Sequence, residues 1–200
     1  MCLLVLVGRQ YYMMSRLDMG FEYKNVGYVS LDGVPRESRS AIVSELKSLG
    51  CVEGVASTYH NFIDKASGNN VWIDDKIEDQ INVADFYIVN PEIFDVMGME
   101  FVQGGSFDMT ADSVGRQVVV EERFIDVMKK LTGIDDNNLI GRTFKITEHV
   151  GIEGRQDFMV CGVVRNMRRG GFDEESADMR SAVIFPSQYI SGNLFVRLSI

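Results

Sequence analysis

Residues 81–107, INVADFYIVNPEIFDVMGMEFVQGGSF, contain a succession of apolar and polar positions that predicts three elements in a row. The mostly apolar run 83–89 is typical of a strand. Asn90 stands at the N-cap position of a short predicted helix, and Gly98 suits its left-handed C-cap. A second extended segment then runs to the Gly-Gly pair before Ser106. No catalytic group is presented here, so the pattern predicts a packed structural unit.

The region before this stretch has the pattern of a βαβ unit. Residues 24–31 alternate between polar and apolar positions, which predicts a strand. Between Pro35 and Gly50 the apolar positions recur at helical spacing, which predicts a helix bounded by these two residues. The apolar run 51–59 then predicts a second strand.

The region after it predicts further strands and one more helix. A helix is expected to begin at Glu121-Glu122 and to end at Gly133, with one apolar stripe along it. Trp72 lies in a short predicted strand, 70–74, and is expected to pack against a sheet. The remaining predicted strands are 117–120, 143–146, 158–164, 182–185 and 194–198. Strands and helices in this arrangement indicate an α+β fold.

The first seven residues, MCLLVLV, are apolar and allow two interpretations. They are far fewer than the roughly 20 residues that cross a bilayer. They also lack the basic start and small-residue cleavage site of a signal peptide. The segment is therefore either a buried N-terminal strand or the outer end of a membrane helix.

Composition and charge narrow the class of protein. The chain has 200 residues, of which 46% are hydrophobic, and a formal net charge of −9. A nucleic-acid-binding role is disfavoured, because phosphate binding needs a basic surface. Cys2, Cys51 and Cys161 form no CxxC pair, which excludes a disulfide framework and a standard zinc site. Cys51 and Cys161 both lie in apolar runs and are expected to be buried.

The sequence presents no catalytic, cofactor-binding or metal site. His60 and His149 are far apart, and neither neighbours an evident nucleophile. Nucleotide-binding, hydrolase and zinc-protease motifs are absent from the sequence. The acidic run 135–138 lacks the spacing and the closing glutamate of a calcium loop.

One local basic cluster stands out on this acidic chain. It consists of Arg165, Arg168 and Arg169, followed by Phe172. One interpretation is a loop whose arginines balance the acidic residues 173–175 beside them. The other is a docking loop for another subunit or an acidic ligand.

Several spaced phrases, in the same order, resemble the extracytoplasmic core domain of MacB/FtsX-like ABC transporter permeases. The phrases are RLDMGFEYKNVGYVSL, DFYIVNPEIFDVMGMEFVQGGSF, VVVEERFIDVMKK, IGRTFKI and FMVCGVV. Together they cover about residues 9–199, without a single diagnostic motif.

The resemblance implies an α+β fold in two lobes. Residues 21–62 and 181–200 are expected to form a βαβ porter-like lobe. Residues 63–180 are expected to form an inserted mixed α/β lobe. Residues 1–20 would then be the end of a membrane helix or its linker.

The resemblance also implies a non-enzymatic role at the inner membrane, with this segment facing the periplasm. The domain would transmit the ATP-driven motion of membrane helices to a periplasmic substrate or partner. Its partners would be a cytoplasmic ABC ATPase, a second permease copy and a periplasmic or outer-membrane protein, and no cofactor is implied. Both chain ends should then lie close together, because each would continue into the bilayer. The alternative is a free-standing α+β binding module or a small enzyme.

Overall fold

The structure, a computed structural model, describes residues 2–14, 18–61, 68, 70–72, 80–81, 84–111, 114–132, 137–146, 156–169 and 180–199. Its helices are α1 (Cys2–Met14), α2 (Arg36–Ser48), α3 (Ile93–Val96) and α4 (Arg123–Thr132), with a 3-10 turn at Val114–Arg116. Its strands are β1 (Val26–Ser30), β2 (Val52–Thr58), β3 (Val71–Trp72), β4 (Gln80–Ile81), β5 (Asp85–Val89), β6 (Phe101–Gly104), β7 (Gln117–Glu121), β8 (Thr143–Ile146), β9 (Gln156–Val164), β10 (Ala182–Pro186) and β11 (Asn193–Leu198).

All eleven strands join one mixed sheet. Its order is β1-β11-β2-β5-β10-β7-β9-β8-β3-β4, and β6 pairs with β9 outside this path. The pairs β5–β10 and β7–β9 are parallel, whereas β10 and β7 are antiparallel. The α+β fold class expected from the sequence is confirmed.

The predicted βαβ unit is present, but another strand separates its two strands. Both β1 and β2 run antiparallel to β11, so they are parallel to each other with β11 between them. The α2 helix packs on this group through Ile42, Val43 and Leu46, against a small core around Val55 and Leu194.

The division into two lobes stays a prediction. The β1-β11-β2 group joins the rest of the sheet through a single ladder pair, Thr58 with Val89. The strand β10, which the sequence assigned to the porter-like lobe, lies between β5 and β7. A large core around Phe94 and Tyr87 extends from Ala56 on β2 to Val119 on β7.

One of the two interpretations of the N-terminal run is excluded, and two local predictions are wrong. Residues 2–14 form a helix with exposed Leu4 and Val5 side chains, so they are not a buried strand, and their place at the end of a membrane helix stays a prediction. Cys51 is exposed, because it lies in the turn before β2 instead of inside the strand. The side chain of Asn90 does not cap α3, and its Oδ1 instead accepts a hydrogen bond of 2.6 Å from the N–H of Ser57.

Other local predictions are confirmed. Trp72 is buried in the sheet, and Phe124 and Met128 form the buried part of the α4 stripe. Gly98 adopts a φ of 55° after α3, as expected of a C-cap glycine. None of the helices in the described ranges is both long and apolar enough to cross a membrane, and α1 spans 13 residues.

Candidate functional site

The residue before β1 and the last residue of β11 lie side by side. The N–H of Leu198 donates to the carbonyl of Asn25 over 2.8 Å, which continues the β1–β11 ladder by one pair. Arg197 and Glu22 form an ion pair of 3.0 Å beside it. The start of β1 and the end of β11 are therefore adjacent, and the expectation that both chain ends lie close together stays a prediction.

The same residues are also fixed to the helix α3. The Nε of Arg197 donates to the carbonyl of Val96 over 2.8 Å, and the N–H of Glu22 donates to the carbonyl of Met97 over 2.7 Å. The Arg197 side chain is mostly buried, so its bond to Val96 is partly shielded from water. We call Glu22, Asn25, Val96, Met97, Arg197 and Leu198 the end junction.

A buried carboxylate lies where β7 stops, beside the first residues of β5 and β10. Glu121 is 0% exposed. Its Oε1 accepts the N–H of Met167 at 2.8 Å and the Nη1 of Arg169 at 2.9 Å. Its Oε2 accepts the N–H of Ala182 at 2.8 Å and lies 3.4 Å from the Nε of Arg123.

The groups around Glu121 complete a compact ionic cluster. Arg169 also faces Asp85, with 3.8 Å between Nη2 and Oδ2, and its guanidinium lies 5.5 Å from the centre of the Tyr87 ring. Arg180 approaches Asp85 from outside at 3.7 Å. Because charged groups need compensation when buried, this cluster fixes the backbone on both sides of residues 170–179.

The predicted docking residues fall into different environments. Arg169 is 1% exposed and faces the interior, so its assignment to an exposed docking loop is wrong. Arg165 is exposed and pairs with Glu100 at 3.1 Å. Arg168 is half-buried, and its N–H donates to the carbonyl of Met19. Phe172 lies outside the described residues.

A shallow cavity of about 380 Å³ lies beyond the carboxyl ends of β5 and β10. Its lining includes Pro91, Met109 and Tyr189. Among the described residues, two side chains elsewhere have displaced pKa values. Hydrogen bonds from Thr110 lower the pKa of Asp108, and burial raises the pKa of Cys161 to about 11. Neither lines this cavity, so no described group with a shifted pKa faces it.

Comparison with known proteins yields structural neighbours alone. No protein-family model matches the chain, and no curated protein does either. The periplasmic region of MacB from Actinobacillus actinomycetemcomitans superposes with a TM-score of 0.54 at 18% identity, covering 90% of this chain and 77% of that one. This chain has the fold of a MacB periplasmic domain.

Two further structures show weaker likeness to this MacB-type fold. The extracellular domain of the noncanonic ABC-type transporter YknZ from Gram-positive bacteria gives a TM-score of 0.49 at 16% identity, with 88% of this chain and 82% of that one covered. A domain of a candidate permease protein from Porphyromonas gingivalis gives 0.48 at 12% identity, with coverage of 87% and 73%. Because both scores lie below 0.5, the fold assignment rests on MacB.

Sequence reasoning missed the residues that organise this MacB-type fold most directly. Glu121 and Glu122 are adjacent in the sequence, and only the strand geometry turns the first inward. Arg197 and Glu22 are 175 positions apart, so their pairing leaves no local signal. An acidic residue directly after the apolar run of β7 was the available hint, since a charge beside a buried strand needs a partner.

Proposed function

We propose that this chain is the extracytoplasmic domain of a MacB/FtsX-like ABC transporter permease, at the inner membrane and facing the periplasm. It works as a non-enzymatic element that receives motion from membrane helices. The observation that supports this most directly is the end junction, where Asn25 and Leu198 share a hydrogen bond of 2.8 Å. A domain with both connections at one end can be held by two helices that leave the same membrane surface.

The proposed mechanism uses a stiff body. The end junction joins both connections to β1, to β11 and to α3, and α3 packs across β2 and β11. Close-packed interiors deform little, so a displacement applied at the end junction moves the whole sheet and reaches its opposite end. ATP binding by a separate cytoplasmic ATPase would supply the displacement, and a second permease copy would complete the transporter. A periplasmic substrate or partner would receive the motion.

The test uses the intact transporter in proteoliposomes. Replacing residues 21–199 by a flexible linker should abolish export while leaving basal ATP hydrolysis. Arg197→Met, which removes the contacts with Glu22 and Val96, should lower the ratio of export to ATP hydrolysis. Arg116→Met removes an exposed arginine of the 3-10 turn and serves as the control. Export that persists after the domain is replaced would refute the proposal.

The docking proposal is retained for the accessible arginines. Arg165 lies in the segment that follows β9, and this segment contacts the chain before β1 through the bond from the N–H of Arg168 to the carbonyl of Met19. Charge reversal of Arg165 and Arg168 should weaken binding of an acidic partner subunit without changing the melting temperature, because exposed ion pairs contribute little to stability. Unchanged binding in a pull-down with that subunit would refute this part.

The reading frame around the chain distinguishes the permease from the free-standing module. Apolar segments of about 20 residues on both sides would agree with the permease. Turnover of a small substrate by the purified chain would favour the small enzyme instead.

A further inference from the structure

Residues 18–21, shortly before β1, lie against residues 165–169, which follow β9. We call the first segment the strap and the second its seat. The N–H of Arg168 in the seat donates to the carbonyl of Met19 in the strap over 2.9 Å. The strap also places the side chain of Phe21 in the large core. The strap is therefore held both by an apolar side chain and by its backbone.

Gly20 allows the strap to approach its seat closely. Its φ is 74°, a left-handed conformation that favours glycine, and a Cβ added there would overlap the carbonyl oxygen of Asn166. The N–H of Gly20 donates to the Oδ1 of Asp18 over 2.9 Å, which fixes the turn within the strap. An alanine at position 20 would therefore push the strap off its seat.

The seat is fixed in turn to the buried ionic cluster around Glu121. The N–H of Met167 and the guanidinium of Arg169 both donate to the Oε1 of Glu121. The other carboxylate oxygen accepts the N–H of Ala182, the first residue of β10. A path of contacts therefore leads from the strap through its seat and through one buried carboxylate to β10.

The strap is the more accessible part of this path. Asp18 is exposed and Gly20 is half-buried, so water can replace the hydrogen bonds of the strap, whereas Glu121 is completely buried. Segments with few buried contacts open at a lower free energy than the core does. We therefore expect the strap to leave its seat before the sheet unfolds.

We propose that docking of the strap and closure of the Glu121 cluster form one coupled device. When the strap leaves its seat, residues 165–169 lose their support, and the hydrogen bonds of Glu121 loosen with them. The coupling is reciprocal, so a change at Glu121 also loosens the strap. Motion that arrives along the chain before β1 would thereby reach β7 and β10 without passing through β11. That last step rests on the proposed function, whereas the coupling within the isolated chain does not.

Amide hydrogen exchange of the 200-residue chain, measured residue by residue, tests the coupling. Gly20→Ala should speed exchange roughly tenfold at Arg168, which donates to the strap, and also at Ala182, which donates to the cluster. The amide of Ser187, beyond the other end of β10, should not change. Unchanged exchange at Ala182 would overturn the coupling. Equal acceleration at Ser187 would overturn it too, because that result indicates a loss of overall stability.

Gly33→Ala is the matched control for backbone strain. Gly33 has a φ of 79°, so an alanine there is strained in the same way, but its Cβ meets nothing within 4 Å. Exchange at Arg168 and Ala182 should then equal that of the parent chain. The same acceleration in both glycine variants would overturn the role of the strap.

A second variant adds no atoms and therefore cannot clash with the seat. Asp18→Ala removes the acceptor for the N–H of Gly20 and should speed exchange at Arg168 and Ala182 several-fold. Asp18→Asn keeps an acceptor oxygen and should leave both amides unchanged. Because Asp18 is exposed, neither variant should prevent folding. Equal exchange in the two Asp18 variants would overturn the proposal.

The reverse direction is tested from the cluster. Glu121→Gln should speed exchange at Arg168, whose amide donates to the strap, more than at Ser187. Glu122→Gln is the control and should change neither amide. Equal responses of Arg168 and Ser187 to Glu121→Gln would overturn the reciprocal coupling. The ratio of export to ATP hydrolysis is measured separately in the intact transporter, so either proposal can fail while the other stands.

Discussion

Replacing Glu121 by glutamine should destabilise the fold more than any other change of one carboxylate in the described sheet. The amide has nearly the same shape, but one of the two carboxylate oxygens becomes an NH₂ group. That group must face either Met167 and Arg169 or Ala182 and Arg123, all of which present N–H groups. Two donors then point at each other, and the buried guanidinium of Arg169 loses its nearest anion.

The expected size of the effect follows from burial. Removing one partner of a buried ion pair costs roughly 3–5 kcal/mol, because the other charge stays buried without compensation. Asp85 remains 3.8 Å from Arg169 and offsets part of this loss, so the lower half of the range is expected. For a domain of this length, 1 kcal/mol shifts the melting temperature by about 2–4 °C. The variant should therefore melt roughly 6–16 °C lower.

Urea unfolding followed by circular dichroism measures the difference at constant pH. Glu122→Gln is the matched control, since that side chain is adjacent in sequence and half-exposed, and it should change stability by less than about 0.5 kcal/mol. Combining Glu121→Gln with Arg169→Met in a double-mutant cycle should give a coupling of about 1–3 kcal/mol. A loss for Glu121→Gln no larger than the control's would show that the cluster does not hold the fold.

Three further predictions concern other positions. Gly162→Ala should lower the free energy of unfolding in urea by about 1–3 kcal/mol, because a Cβ there would lie 2.2 Å from the carbonyl oxygen of Gly105. A Cβ at Gly105 would meet nothing within 4 Å, so Gly105→Ala is the control and should be nearly neutral. Equal losses in the two variants would contradict this prediction. Cys51 is exposed and should react quickly with a thiol reagent at neutral pH, whereas Cys161 should react slowly. Because burial raises the pKa of Cys161 from an ordinary 9.0 to about 11, its contribution to stability is full below pH 9 and is lost as the pH rises towards 11. The variant Cys161→Ser should remove that loss of stability at alkaline pH. Arg197→Met should lower stability by about 1–3 kcal/mol through two lost hydrogen bonds, and a neutral result would contradict the role of the end junction.

Local patterns predicted local structure well. The spacing of apolar residues between Pro35 and Gly50 located α2 correctly, and the apolar run after Gln156 identified the core of β9. These predictions depend on positions within a few residues of each other, where periodicity is informative.

Those local patterns do not predict which distant segments pair with each other. The insertion of β11 between β1 and β2 joins segments more than 130 positions apart, and nothing in a single sequence marks the pairing. Asn90 was predicted as a helix cap from its place before Pro91, but the close approach of β2 offers its side chain the N–H of Ser57 instead. The burial of Arg169 likewise depends on Glu121, 48 positions earlier.

In the proposed mechanism, the end junction supplements the narrow connection within the sheet. Within the sheet, the β1-β11-β2 group meets the remaining strands through one ladder pair, reinforced by the hydrogen bonds of Asn90 with Ser57. A pull on β1 and β11 alone would concentrate strain at that pair. The end junction provides a second route, because Arg197 and Glu22 bind the carbonyls at the end of α3, which follows β5 in the chain. Under the proposed function, force applied at both connections would therefore reach the strands from β5 onward through α3 as well as through β2, and the two routes together would move the sheet as one body.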